Sequence, residues 1–144
     1  MNETTTKAPV HLWIVGVLAV LWNAMGAFDY LATQLQLDFY MSQFSQEQLD
    51  YFYGFPAWVE AAWATAIWTA VLGSLCLLFR KSWAVGLFGL SILGMAVTTV
   101  YNFVLTNGME IMGSEGATFT AVIWVIALFL YFYAQAMAKR NVLT

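Results

Sequence analysis

Charge is what this sequence has least of. Only 9% of its 144 residues are Asp, Glu, Lys or Arg, while 62% are hydrophobic, and a soluble domain of that size cannot hide so much apolar surface from water. No Lys or Arg lies between Lys7 and Arg80, or between Lys81 and Lys139. The net charge of -3 leaves no basic footprint for nucleic acid, which sets that class of partner aside. A single cysteine, Cys76 in VLGSLCLLF, excludes an internal disulfide and any CxxC redox pair, and with them a disulfide-forming membrane enzyme. It reads as a small packing residue. A single histidine, His11, excludes bis-histidine haem within one chain and supplies no metal cluster. There is no P-loop, GxSxG elbow or HExxH helix. The sequence therefore reads as a non-enzyme with no cofactor and no metal site.

What remains is apolar length. A hydrocarbon core of about 30 Å needs roughly 20 helical residues, and four runs reach that length, near residues 10–32, 57–79, 83–106 and 118–138. The first is longer than the apolar region of a signal peptide and lacks a clean cleavage site after it, so it reads as an uncleaved anchor. The predicted fold is all-α: one integral membrane domain, a four-helix bundle. Lys7, Arg80, Lys81, Lys139 and Arg140 all fall on one side of these spans, and Asp38, Glu47, Asp50, Glu110 and Glu115 on the other. Basic loops stay in the cytoplasm, so both termini are expected there. Trp13 and Trp83 mark the inner interface, and Tyr51, Phe52, Tyr53 and Trp58 the outer one.

The connections are unequal. Arg80-Lys81-Ser82 is a tight hairpin, whereas residues 33–56 exceed what a connection requires. There Ser45-Gln46-Glu47-Gln48 resembles a capping box, followed by Leu49, Phe52 and Tyr53 at helical spacing. A short amphipathic helix on the outer surface is predicted, with Pro56 suited to the first turn of the second span. Residues 107–116 are glycine-rich and read as a turn.

Small residues suggest how the spans pack, because in lipid close backbone approach replaces the hydrophobic drive. The second span carries Ala57, Ala61, Thr65, Thr69 and Gly73 at steps of four; the third carries Gly86, Gly94, Thr98, Asn102 and Thr106, with Leu90 as its large member. These ladders predict a tight antiparallel pair. The first span offers Gly16, Ala19, Asn23 and Gly26, and the bulkier fourth is expected to face lipid or another subunit.

Polar side chains at membrane depth are the candidates for chemistry. Asp29, Glu60 and Asn102 fall in one layer near the outer edge, with Asn23 deeper and Tyr30, Thr98 and Tyr101 as hydroxyls around it. No Lys or Arg on that side neutralises the carboxyls. Two readings stand. Either these groups snorkel, end helices and bond between helices, or they line an outward-facing carboxylate and asparagine pocket for a polar ligand. Trp58, Trp63 and Trp68 turn about 140° from one to the next at a spacing of five, so they form no single stacking platform and read as lipid-facing or interfacial packing. His11 reads as an inner-edge interfacial residue.

The segments HLWIVGVL (11–18), WNAMGAFDY (22–30), YFYGFPAW (51–58), YNF (101–103) and NGME (107–110) resemble a family of small bacterial four-helix inner-membrane proteins, across nearly the whole chain. Its members tend to carry the label of sugar transporters. The resemblance implies an inner-membrane location and singles out Asn23, Asp29, Tyr30, Pro56, Trp58 and Asn102 as motif positions without roles. Two functional expectations follow. One is binding or transport of a small polar solute, such as a sugar, by a homo-oligomer. The other is a non-catalytic accessory or scaffold subunit that binds another membrane protein through the fourth span or the acidic outer loop. Membrane lipid is a partner in both.

Overall fold

The computed structural model describes residues 6–144. Among these residues the fold is all-helical and contains no strand. Helix α1 spans Val10–Gln34, the one-turn α2 Asp38–Met41, α3 Gln46–Tyr53 and α4 Ala57–Leu78. Helix α5 spans Trp83–Val100 and runs into a π-turn, Tyr101–Leu105, before α6, Gly108–Lys139. Four helices, α1, α4, α5 with its π-turn and α6, are long and apolar enough to cross a membrane.

The first three long helices end within two residues of the boundaries read from hydropathy. The fourth begins at Gly108 rather than near residue 118. Residues 108–112 form a short helical stretch, and the glycine-rich segment turns at Gly113, whose φ of 74° and ψ of -171° separate that stretch from the long helix beyond it. Only glycine takes that conformation without strain.

Helix ends follow local chemistry. Ser45 Oγ accepts from Gln48 N, and Gln48 Oε1 accepts from Ser45 N, a complete capping box that starts α3. Helices α1, α4 and α6 stop by left-handed residues at Gln36, Arg80 and Asn141, with φ of 52°, 61° and 59°. Each is followed by an amide that reaches back five residues: Leu37 N to Ala32 O (3.0 Å), Lys81 N to Cys76 O (2.7 Å) and Val142 N to Met137 O (2.9 Å). These are Schellman closures built on residues other than glycine.

Helix α4 is the centre of the bundle: it packs most extensively on α5 and next on α1, while α6 leans on α5. The α1 stripe behaves as read, with Gly16 against Leu78, Gly26 against Ile67 and Asn23 bonded across to α4. The predicted pairing of α4 with α5 is observed, but only part of each ladder makes it: Gly73 stands against Phe88 and Gly94 against Ala62 and Ala66, while Ala57, Ala61, Gly86 and Leu90 are exposed. Ser91 Oγ of α5 also donates to Ala66 O of α4. The reason is geometric. A step of four residues turns about 40° past a full turn, so a long ladder of fours winds off any straight contact line. Alternating threes and fours, as in α1, stays on it.

The buried apolar cluster lies toward the basic end, formed by Leu12, Leu77, Ala84, Phe88, Leu130, Ala134 and Met137 together with Val142 and Leu143 beyond α6. Arg80 fastens this end: Nε donates to Val142 O (3.0 Å) and Nη2 donates to Thr6 O. Thr144 N donates to Arg80 O (3.0 Å), Thr6 Oγ1 to Arg140 O (2.7 Å) and Thr6 N to Asn141 O (3.0 Å). His11 Nδ1 lies 2.5 Å from Tyr133 OH, linking α1 to α6 at the same level.

Candidate functional site

The opposite end holds the polar side chains that hydropathy left unexplained, and those that find partners do so in different directions. Asn23, the deepest, donates from Nδ2 to Ser74 Oγ (2.6 Å), whose own hydroxyl donates to Ala70 O (2.8 Å). That is a bond between α1 and α4, with Ser74 fully buried. It makes the Asn23 amide an interhelical link.

Asp29 does not face α4. Its Oδ1 accepts from Tyr40 OH, on the short helix α2 that folds back alongside α1. The returning segment is held by aromatic contact as well, with Phe28 edge-on to Tyr40 at 5.4 Å and tilted against Phe39 at 6.2 Å. The Tyr40 phenol is pushed well up from its ordinary value, first by burial and then by the Asp29 carboxylate, which accepts its hydrogen bond and repels a phenolate. Among the described residues, every buried side-chain N or O atom has a partner, and Asp29 Oδ2 has none. It follows that Oδ2 opens to the molecule's surroundings.

Asn102 belongs to a third group. It lies in the π-turn, and its Oδ1 accepts from Tyr51 OH (2.6 Å) of α3. Tyr51 OH also lies 2.8 Å from Thr106 Oγ1, and Thr106 Oγ1 donates to Tyr101 O (2.8 Å), tying down a carbonyl of the widened turn. Gly108 must be small here: a Cβ would stand 2.5 Å from Tyr51 OH and 2.6 Å from Asn102 O. Helix α3 is thereby pinned over the π-turn and the start of α6, with Gln48 Nε2 donating to Ile111 O (3.3 Å) as a second tie. Burial raises the Tyr51 phenol, opposed by its bond to Thr106 and reinforced by Tyr101. The amide nitrogen of Asn102 has no partner in the described chain.

Aromatic rings bridge these groups. Tyr30 packs edge-on to Trp63 (4.8 Å), Trp63 on Phe55 (6.0 Å), Phe55 on Tyr101 (5.6 Å) and Tyr101 on Trp58 (5.7 Å). Trp63 therefore packs inside the bundle end, unlike the exposed Trp58 and Trp68. Thr98 donates to the carbonyl of Met95 in its own helix (3.0 Å). Glu60 is half-buried in the first turn of α4, where a carboxylate suits the helix dipole, and makes no side-chain hydrogen bond among the described residues.

The seven candidate residues thus fall into different arrangements: Asn23 with Ser74, Asp29 with Tyr40, Asn102 with Tyr51 and Thr106, Tyr30 and Tyr101 in the ring chain, Thr98 bonded within its own helix, and Glu60 without a hydrogen bond among the described residues. Tyr40, Tyr51, Ser74 and Thr106 were not among the candidates. Tyr40 had no signal in the sequence, because nothing there shows that residues 38–41 turn back along α1. Two open depressions lie on the surface, one lined by Leu21, Ala24, Met25, Phe28 and Tyr40, the other by Ser114, Glu115, Thr118, Phe119 and Val122. Neither is lined by Asn23, Glu60 or Asn102. Among the described residues no three His, Cys, Asp or Glu side chains are placed to hold a metal ion. The chain matches no protein-family model, and no curated protein or solved structure matches it.

Proposed function

We propose that this chain is a multi-pass membrane protein, with both ends and the Arg80–Lys81 loop in the cytoplasm, that serves as a non-catalytic subunit binding another membrane protein. One observation carries the reading. Val122, Val125, Phe129, Phe132 and Ala136 of α6 follow the alternating spacing of three and four that keeps side chains on one line, and all five are exposed. Such a seam suits a partner helix. Asn23, Asp29 and Asn102 meanwhile bond in three different directions, to Ser74, Tyr40 and Tyr51, which does not gather them into one polar lining.

The test is site-specific photocrosslinking in cells, with the reactive residue at Val125 or, for comparison, at the exposed Val17 of α1. A discrete adduct with one other membrane protein at Val125 alone supports the reading; lipid adducts only, or equal adducts at both positions, reject it. An adduct with a second copy of the chain assigns the seam to a homo-oligomer. Reaction of Lys81 with an impermeant amine reagent in intact cells overturns the orientation.

A second reading, binding or transport of a small polar solute such as a sugar, is favoured by the π-turn. Single π-turns in α-helices are frequent at functional sites, and this one leaves the Asn102 amide nitrogen free beside Tyr101, with Thr98 one turn earlier on α5, Tyr30, Asp29 and Glu60 on α1 and α4, and Asn23 deeper in the bundle. Solute uptake into proteoliposomes that is lost in Asn102→Ala supports it. Absence of uptake in the parent protein rejects it.

A further inference from the structure

We propose that the lateral groove of α1 is a binding site for a hydrophobic organic monocation, with the charge held at Asp29 and the apolar body lying along Leu21, Met25 and Phe28. The site is separate from the α6 seam and from the π-turn.

Four observations converge on that chemistry. The groove is lined by Leu21, Ala24, Met25, Phe28 and the ring of Tyr40, so a sugar or other polyhydroxylated solute would leave its hydroxyls without partners there. Tyr40 carries the groove to a carboxylate, because its hydroxyl donates to Asp29 Oδ1. Asp29 Oδ2 is unpartnered and open to the surroundings, as argued above from the absence of any sealed, unpaired polar atom. Finally, the basic residues all lie at the far end of the bundle, on or beside Thr6, Arg80 and Asn141, so nothing in the described chain neutralises Asp29.

An anion is repelled at this position, and a neutral lipophile gains nothing from the carboxylate. A dication would have to leave its second charge against Leu21 and Met25. A single diffuse positive charge with an apolar body meets all the groups present, and the edge-to-face pair of Phe28 and Tyr40 (5.4 Å) places aromatic surface beside it, where a cation gains further attraction. Met25 and Phe28 are unbranched or flat side chains that adapt to ligand shape.

The experiment measures equilibrium binding of tetraphenylphosphonium to the full chain in phosphatidylcholine nanodiscs, against empty nanodiscs. The parent protein is expected to show saturable binding with one site per chain, and the uncharged triphenylphosphine oxide to bind at least tenfold more weakly. Asp29→Asn is expected to weaken the cation at least tenfold. Glu110→Gln, an exposed carboxylate on α6, is expected to stay within twofold of the parent. Ala24→Trp keeps the carboxylate but fills the groove from an exposed position, so it decides the matter if Asp29→Asn does not fold; it too is expected to abolish saturable binding. The proposal is overturned by the absence of saturable binding in the parent, by equal binding of the neutral compound, or by unchanged affinity in folded Asp29→Asn or Ala24→Trp. Loss of saturable binding when phosphatidylethanolamine replaces half the lipid also overturns it, since a lipid amine would then be the occupant. Failure of the α6 crosslink leaves these outcomes unaffected.

Discussion

Replacing Gly94 with alanine tests the α4–α5 interface at its tightest point. A Cβ there would stand 2.6 Å from Ala62 O, 2.9 Å from Ala66 N and 3.1 Å from Ala66 Cβ, where ordinary contact begins at 3.4 Å. The obstacles are mainly backbone atoms, so no rotamer change relieves them, and the two helices must separate by about 0.8 Å along this line. Overpacking of that kind costs about 1–3 kcal/mol. The separation also stretches the bond from Ser91 Oγ to Ala66 O, now 2.7 Å, which adds about 0.6 kcal/mol, the average for such links in membranes. Alanine recovers up to about 1 kcal/mol of helix propensity, leaving a net loss of about 1–3 kcal/mol. The control is Gly86→Ala in the same helix, where a Cβ meets nothing within 4 Å and the propensity gain stands alone. Reversible unfolding in mixed micelles, titrated with dodecyl sulfate and followed by circular dichroism, measures both. Equal destabilisation of the two variants, or a Gly94→Ala protein as stable as the parent, would refute the packing described for these helices.

Three further outcomes are expected. Gln36→Gly relieves a left-handed residue at the end of α1 and should stabilise the protein by about 0.5–1 kcal/mol in the same titration; destabilisation would show that the Gln36 side chain contributes more than the strain. Tyr40→Phe removes the donor to Asp29 and should cost about 1–3 kcal/mol at neutral pH. Because the Tyr40 phenol is raised in the folded protein, its contribution is fully present below the unfolded phenol value near 10 and is lost as pH rises above it, so the gap between parent and Tyr40→Phe should narrow in unfolding runs from pH 9 to pH 11, and a constant gap would count against it. A double-mutant cycle of Asn23→Ala and Ser74→Ala should give a coupling of about 0.6 kcal/mol; zero coupling would mean that Asn23 draws its stabilisation from elsewhere.

How much of this was legible beforehand depends on how local the determinants were. Apolar length needs no knowledge of neighbours, and the limits of α1, α4 and α5 with its π-turn were readable to within two residues. The capping box at Ser45 and Gln48 was equally local, since both partners lie within one turn. The contact face of α5 was not, because Gly86 and Gly94 look alike in sequence and only the rotation of the helix against α4 separates an exposed glycine from an enclosed one. Depth along a span placed Asp29, Glu60 and Asn102 at one level, but depth says nothing of azimuth. Asp29 and Asn102 bond to different neighbours for that reason, and Glu60 to none among the described residues. The π-turn was hidden too: Thr106 and Tyr51 hold it from outside its own five residues.

The fastening of Thr6, Arg80 and Val142 has a mechanical implication. Three stretches of backbone meet there through one guanidinium, over an apolar cluster that ends about halfway along the bundle. Relative rotation of α1, α4 and α6 must then pivot about that plate, much as the blades of a fan turn about a rivet. A one-degree tilt at the plate displaces the far tips of 30 Å helices by about half an ångström, so small adjustments at the plate are magnified where Asp29 and Asn102 lie.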